Sequence, residues 1–147
     1  MNMAEPGGGH VGTREPLSLR LAASLAAVEE ARSALFAYLE PQGIEARVLN
    51  RIEVALEELI SNVVRHGEIA TFVEIAADYS EGAVTISVTD DGVPFNPLAR
   101  AEPARFDKLE NATLGGLGIG LVKRLAKAVA YDRVKGLNRT SAVFAPA

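Results

Sequence analysis

The sequence contains no cysteine among its 147 residues. This excludes a disulfide framework and a thiolate metal site, and cysteine usage gives no information on the redox compartment. Long apolar runs are also missing, and none approaches the roughly 20 residues of a membrane span. The opening MNMAEPGGGHVGTREP lacks the basic and then apolar order of a signal peptide. We therefore expect a cytoplasmic protein with no membrane association.

A basic excess is missing as well, since the net charge is −4 and the pI is about 5.2. This argues against direct nucleic-acid binding. With 48% hydrophobic and 23% charged residues, the composition is that of an ordinary globular protein. We expect a flexible leader over residues 1–14, because three consecutive glycines resist ordering and His10 is then a tail residue. A single domain over residues 15–147 would follow.

Hydrophobic periodicity predicts a strand, two helices, a strand hairpin, a long loop, a third helix and a second hairpin. The predicted segments are, in this order, 17–24, 24–40, 44–66, 71–79 with 83–90, 91–116, 116–130, and 131–136 with 138–145. Ser24 is a plausible N-cap of the first helix. A loop as long as 91–116 is typical of a lid or binding loop. Hairpin-paired strands and three helices predict a two-layer α/β sandwich with an antiparallel or mixed sheet.

The second predicted helix carries a line of polar residues beside its apolar stripe. Glu58, Asn62 and His66 recur every four residues, about 100° from a core stripe. The stripe consists of Ile44, Val48, Ile52, Ala55, Leu59 and Val63. A solvated polar face explains the line without any site. The alternative is a functional site, because Asn offers a donor and an acceptor and Glu can accept a proton.

The second strand of the first hairpin places a carboxylate where an apolar residue is expected. Val84, Ile86 and Val88 form its inward face, so the next inward residue is Asp90 and not Asp91. A buried carboxylate needs hydrogen-bond donors, and the exocyclic amine of adenine is one. The alternative is a strand-end Asp that starts a turn. Gly92 would permit close approach to a flat ligand.

A third segment, GGLGIGLVKRLAK, places four glycines around a helix start, namely Gly115, Gly116, Gly118 and Gly120. The unpaired N–H groups of a helix N-terminus favour anions such as phosphates. The P-loop pattern is absent because no Gly-Lys-Ser/Thr follows. A long loop precedes the glycines instead of a tight turn after a parallel strand, so the layout is not that of a Rossmann fold.

Together and in this order, the three segments resemble the motifs of the Bergerat-fold (GHKL) ATPases. ALEELISNVVRHG resembles their N box, DDGVPF their first glycine box and GGLGIGLVKRLA their second. Within that superfamily, residues 15–145 are most similar to the stand-alone anti-sigma factor serine/threonine kinases. NRTSAVF resembles their last strand, where a residue such as Thr140 lies near the nucleotide. The implied fold has a mixed, mostly antiparallel sheet covered on one face by three helices.

The resemblance also implies roles for individual residues. By motif position, Asn62 would coordinate the Mg²⁺ that bridges the ATP phosphates, Glu58 would be the general base and Asp90 would read adenine. His66 fits the end of the N box, although a structural role at the helix end is an equal alternative. The implied nucleotide-binding set is Asn62, His66, Asp90, Gly92, Gly116, Leu117, Gly118, Ile119, Gly120 and Thr140. The loop cations Arg100, Arg105 and Lys108 are candidates for phosphate contacts.

The implied activity is ATP- and Mg²⁺-dependent phosphorylation of a Ser or Thr on a small STAS-like anti-anti-sigma protein. A sigma factor or another regulator would be a second partner, released by partner switching, and a homodimer is expected from related kinases. Two alternatives remain open, a sequestering module with nucleotide as a structural ligand and a detached histidine-kinase-like ATPase module. Glu58 favours the enzyme, because a sequestering module needs no base beside the metal ligand.

Overall fold

The computed structural model describes residues 15–66, 69–99 and 117–145. The predicted leader, residues 1–14, lies outside the described residues, as do the loop cations Arg100, Arg105 and Lys108.

Five strands and three α-helices make up the described part of the chain. In chain order they are β1 (Leu17–Ala22), α1 (Ala26–Leu39), α2 (Ala46–His66), β2 (Phe72–Ser80), β3 (Ala83–Asp90), α3 (Leu117–Leu125), β4 (Ala128–Val134) and β5 (Leu137–Phe144), with 3₁₀ turns at Glu40–Gln42 and Pro97–Ala99. The order of strands and helices agrees with the prediction from periodicity.

The strands form one sheet in the order β1-β2-β3-β5-β4. The predicted two-layer sandwich is confirmed, but every strand pair among the described residues is antiparallel, so the sheet is not mixed. Two tight hairpins account for half of these pairs. Their turns, Glu81–Gly82 and Lys135–Gly136, have positive φ at both positions. This is the type I′ geometry, whose twist matches that of the flanking antiparallel strands.

The helices pack on one face of the sheet and enclose the core between the two layers. The predicted apolar stripe of α2 is buried from Val48 to Val63, and Ile52 and Ile60 are fully enclosed. Ile44 is only half-buried and lies before the helix, which begins at Ala46. On the sheet side, Val84, Ile86 and Val88 of β3 face the helices, as predicted.

Two local predictions are wrong. The third helix ends at Leu125 instead of continuing to residue 130, and residues 128–130 belong to β4. Pairing of Ala128 with Val143 and a backbone bond from Lys127 N to Val143 O of 2.7 Å draw this segment into the sheet, which overrides the helix propensity of alanine. Ser24 does not cap α1 through its side chain. The N-cap position is Leu25, and Ser24 contributes only its backbone oxygen to Ala27 N.

Within the described ranges, no helix combines the length and the apolar character needed to cross a bilayer.

Candidate functional site

One end of the helix-covered sheet face is polar, because the strand register brings three polar side chains together. Asp90 of β3 pairs with Asn138 of β5, and Val88 pairs with Thr140 in the adjacent row. Asp90, Asn138 and Thr140 are 5%, 3% and 8% exposed. They lie on the same face as the core residues, since strand side chains alternate between faces. We call these three residues the polar corner.

A narrow pocket lies between the polar corner and α2. Its lining consists of Leu59, Asn62, Val63, Val88, Asp90, Phe95, Pro97, Asn138 and Thr140. The cavity volume is about 20 Å³, which corresponds to roughly one water site. Phe95 and Pro97 come from the segment after β3 and form the only part of this lining that belongs to neither a strand nor an α-helix. The cavity as it stands is therefore too small for a ring-shaped ligand.

The Asp90 carboxylate is held through one of its two oxygens. Gly92 N donates to Asp90 Oδ1 at 2.8 Å, and Asn138 Nδ2 donates to the same oxygen at 3.1 Å. Both bonds that the described residues make to this carboxylate thus go to Oδ1. The other oxygen, Oδ2, accepts no hydrogen bond from the described residues.

Asn138 is the junction that fixes the polar corner. Its Oδ1 accepts from Phe95 N at 3.2 Å, from Arg133 Nη1 at 3.0 Å and from the Tyr131 hydroxyl. Its Nδ2 donates to Val93 O at 2.8 Å as well as to Asp90. One buried amide therefore links β4 and β5 to the segment that closes the pocket.

On the opposite wall, Arg65 connects two of the three polar residues of α2 that the sequence singled out, Glu58 and Asn62. Its Nη2 lies 3.5 Å from Asn62 Oδ1 and 3.9 Å from Glu58 Oε1. Asn62 is buried and lines the pocket, whereas Glu58 is half-buried one turn earlier. Burial raises the pKa of the Glu58 carboxyl above its ordinary value, the charge of Arg65 lowers that pKa, and the charge of Glu57 raises it.

His66 lies at the end of α2 and stacks on Phe95. The ring centroids are 4.9 Å apart and the ring planes differ by 16°. His66 does not line the pocket itself but supports the aromatic ring that does. The stack therefore joins the end of the helix to the segment that closes the pocket.

The glycine segment is described only from residue 117 onward. Leu117 and Gly118 form the first turn of α3, and Gly116 lies outside the described residues together with Gly115. The Ile119 side chain is 4% exposed and belongs to the core, so a ligand contact from this residue would have to come from its backbone. Gly120 is buried in the same helix.

Asp91 faces away from the pocket and joins two strand ends. Thr71 N and Phe72 N donate to Asp91 Oδ1 at 2.7 and 3.1 Å, and the Thr71 hydroxyl donates to Oδ2. These bonds, led by the one from the Thr71 side chain, lower the pKa of Asp91 to about 2. The neighbouring carboxylates therefore differ in role, because Asp90 faces the pocket and Asp91 ties β2 to β3.

Sequence reasoning missed Asn138, Arg65 and Phe95. The alternation that places Thr140 on the inner face of β5 also places Asn138 there, two residues earlier. Arg65 follows Asn62 by three residues, the spacing of neighbours on a helix surface. No comparable sequence signal predicts that Phe95 reaches His66, because their contact depends on how the segment after β3 folds back.

The arrangement combines an acceptor for an amine with an oxygen ligand suited to a hard cation. Within the described ranges, no group of three or more His, Cys, Asp or Glu residues is placed to hold a metal ion. The Asn62 side-chain oxygen fits Mg²⁺, which takes few protein ligands and completes its shell with water and phosphate oxygens. The hydrogen bond from Arg65 to the Asn62 oxygen is long, at 3.5 Å, so little bonding energy is lost when this oxygen binds a metal instead.

Comparison with known proteins identifies relatives of this fold. A family model described as the histidine kinase-like ATPase domain matches residues 21–144. No protein with a curated description matches the sequence.

Three solved structures are similar in fold. The RsbU and RsbW domains of Rv1364c from Mycobacterium tuberculosis superpose with a TM-score of 0.65 and 20% identity, over 90% of this chain and 32% of that one. A chain of the SiaB–SiaC complex from Pseudomonas aeruginosa superposes with a TM-score of 0.63 and 18% identity, and the match covers 87% of this chain and 88% of that one. The histidine kinase domain of the blue-light activated histidine kinase EL346 from Erythrobacter litoralis superposes with a TM-score of 0.50 and 16% identity. That match covers 86% of this chain and 62% of that one. This chain thus spans about a third of the Mycobacterium chain.

Proposed function

Because the chain belongs to the histidine kinase-like ATPase domain family, we propose that it is a protein kinase that binds ATP between α2 and the polar corner. Its acceptor is a Ser or Thr hydroxyl on a small STAS-like protein. The observation that carries this proposal is the pocket in which Asp90 of β3 faces Asn62 of α2. Glu58, with its raised pKa, lies one helical turn from Asn62.

Adenine recognition rests on the asymmetric environment of Asp90. Gly92 N and Asn138 Nδ2 occupy Oδ1, so Oδ2 accepts the exocyclic amine of adenine. The Val88 and Leu59 side chains supply apolar walls for the ring. Guanine carries a carbonyl oxygen in place of that amine, so the same carboxylate would repel it.

Phosphate and metal recognition rests on the α2 side of the pocket. Asn62 provides the oxygen that would hold Mg²⁺, and the metal, when bound, neutralises charge on the phosphates. Arg65 then exchanges its long contact with Asn62 for an anionic partner. A guanidinium beside the metal ligand suits phosphate oxygens, because its planar fork pairs with them in two places.

Glu58 is the proposed general base. A base is most effective when its pKa approaches the working pH, and burial moves the pKa of Glu58 in that direction. It accepts the proton of the acceptor hydroxyl. Glu57, the neighbouring carboxylate, is exposed and takes no part in this transfer.

The STAS-like acceptor is supported by the earlier motif resemblance and by the structures that share the fold. One similar chain is found in a complex of two proteins, SiaB and SiaC, and another is joined to an RsbU domain. A fold that works together with a second protein agrees with a protein acceptor. A sigma factor or other regulator as second partner, and a homodimer, are further parts of this proposal.

The test is phosphoryl transfer from labelled ATP and Mg²⁺ to STAS-like proteins encoded near this one. Glu58→Gln should keep ATP affinity within a few-fold and lose transfer by roughly 10²–10⁴, the usual share of a general base. Glu57→Gln is the matched control and should transfer at close to the wild-type rate at pH 8. Equal activity of both variants would assign the base elsewhere. ATP binding without transfer to any acceptor would favour the sequestering alternative.

A further inference from the structure

A second pocket lies at the other end of the elements that build the candidate site. It is lined by Val48, Arg51, Arg124, Leu125, Ala126, Lys127, Phe144 and Ala145, and its volume is about 380 Å³. Along α2, Arg51 precedes Asn62 by eleven residues, or about 16 Å at the helical rise. Along β5, the pocket uses the last residues of the strand, whereas the polar corner uses the first. The two pockets are therefore separate.

Three cationic side chains surround this pocket without a carboxylate partner among the described residues. No described carboxylate lies within ion-pair distance of Arg51, Arg124 or Lys127. Most other described arginines do pair with carboxylates. The arginines that form such ion pairs are Arg20, Arg32, Arg47, Arg65 and Arg139. Unpaired positive charge is thus concentrated in one concavity of a chain whose net charge is −4.

The floor of the second pocket is apolar. Its accessible apolar surface comes from Leu125 and Ala126, which are half-buried, whereas Val48 and Phe144 are 1% and 2% exposed and belong to the core. The cations themselves are exposed at the rim. The site therefore offers positive charge around an apolar surface, and a ligand that satisfies both must carry acidic groups next to an apolar group.

We propose that the second pocket docks an acidic segment of a partner protein, with an apolar side chain of that segment on the floor that Leu125 and Ala126 expose. A small inorganic anion would leave the apolar floor uncovered and fill little of the volume. A nucleic acid would need a more extended basic surface than an acidic chain provides. This docking site goes beyond the proposed kinase activity and does not depend on ATP binding, because the two pockets share no lining residue.

The probe is the peptide acetyl-Glu-Glu-Leu-Glu-Glu-amide, titrated into ¹⁵N-labelled full-length protein at low salt without nucleotide. Amide shifts should concentrate at residues 48–51, 124–127 and 144–145. The triple variant R51Q/R124Q/K127Q should weaken binding by about tenfold or more, since each exposed ion pair contributes up to a few-fold. The matched control R20Q/K135Q/R139Q removes the same charge from other parts of the surface and should bind within about twofold of wild type.

Two further titrations separate the parts of the proposal. Replacing the central Leu of the peptide by Gly should weaken binding severalfold, because the apolar floor then loses its contact. Inorganic phosphate should produce much smaller shifts at the same residues. The docking site is refuted if the shifts fall elsewhere, if both triple variants bind equally, or if phosphate or the Gly peptide binds as well as the Leu peptide. Should the triple variant lose its dispersed spectrum, K127Q alone gives the same test with a smaller expected loss.

Discussion

At the scale of single residues, Glu58 illustrates how neighbours set the chemistry of a carboxylate. Burial raises the pKa of the Glu58 carboxyl, the positive charge of Arg65 lowers that pKa, and the negative charge of Glu57 raises it. A general base must be deprotonated to work, so the acid limb of the rate profile follows its pKa. Removing the charge of Arg65 and removing that of Glu57 should therefore move the acid limb in opposite directions.

Arg65→Gln removes the charge that lowers the Glu58 pKa, so the acid limb of kcat should move to higher pH. Glu57→Gln removes the charge that raises it, and the limb should move to lower pH. Arg47→Gln, on the first turn of the same helix, is the control and should leave the limb in place. The measurement is kcat against pH with the protein acceptor. Shifts of the two test variants in the same direction would contradict the assignment of the base.

The pairing of Asn138 with Asp90 is also a residue-scale feature, and we expect it to influence nucleotide choice. Asn138→Ala removes the donor to Val93 O and one of the two donors to Asp90 Oδ1, so that Gly92 N alone holds that oxygen, at a cost of about 1–3 kcal/mol in stability. With one donor fewer on Oδ1, the orientation of the Asp90 carboxylate is less fixed, so ATP affinity should fall about tenfold or more while GTP affinity changes little. Calorimetric titration of both nucleotides measures this.

The control for this prediction is Asn50→Ala, which removes an exposed amide from α2 and should change neither affinity. Asp90→Asn should lower the ATP preference in the same way as Asn138→Ala. A variant at Asn138 that lost stability but kept the full preference for ATP over GTP would limit this residue to a structural role.

At the scale of elements, we expect the segment after β3 to control whether the pocket admits a ligand. Phe95 is held on both sides, by the His66 ring and by the bond from its N–H to Asn138, and with Pro97 it narrows the cavity to about 20 Å³. If adenine binds in this pocket as proposed, we expect it to displace this ring. Motion of such a closing segment is a common way in which binding reorganises a site.

Phe95→Trp makes this motion observable, because the chain contains no tryptophan. ATP with Mg²⁺ should change the intensity and position of Trp emission as the indole leaves the His66 ring. Phe36→Trp, in α1 against the core, is the control and should not respond. An unchanged spectrum at ATP concentrations that saturate a calorimetric titration would show that the ring keeps its place on His66.

At the scale of the whole molecule, acid stability depends on how the strand ends are joined. The pKa of Asp91 is lowered to about 2 from an ordinary value of 3.8, mainly by the Thr71 hydroxyl. The folded state therefore binds this proton less readily than the unfolded state does. Its contribution to stability is complete above about pH 4 and is lost as the pH falls toward 2.

Asp91→Asn should lower the melting temperature by a few degrees at pH 7 and flatten its decline between about pH 4 and pH 2. Asp78→Asn, whose carboxylate bonds only to the exposed Ser80 side chain two residues away, should leave both nearly unchanged. Thermal unfolding followed by circular dichroism gives the comparison. Parallel pH curves for wild type and Asp91→Asn would mean that the Thr71–Asp91 connection contributes nothing to acid stability.

The sequence by itself determined the features that depend on local periodicity. Alternation along β3 placed Asp90 on the covered face and Asp91 off it, and the four-residue spacing on α2 put Glu58, Asn62 and His66 in one line. These inferences hold because a strand repeats every two residues and a helix every 3.6, whatever the element packs against. The sequence of elements and the two-layer class followed from the same periods.

Only the tertiary structure decided how these elements meet. The β3–β5 register set Asn138 beside Asp90, and pairing with β5 turned residues 128–130 from helix into strand. The contact between Phe95 and His66 and the separate basic pocket arise where distant segments converge. Register and helix-on-sheet docking are settled by packing between residues far apart in the chain, and a local period carries no information about which distant partner a side chain will face.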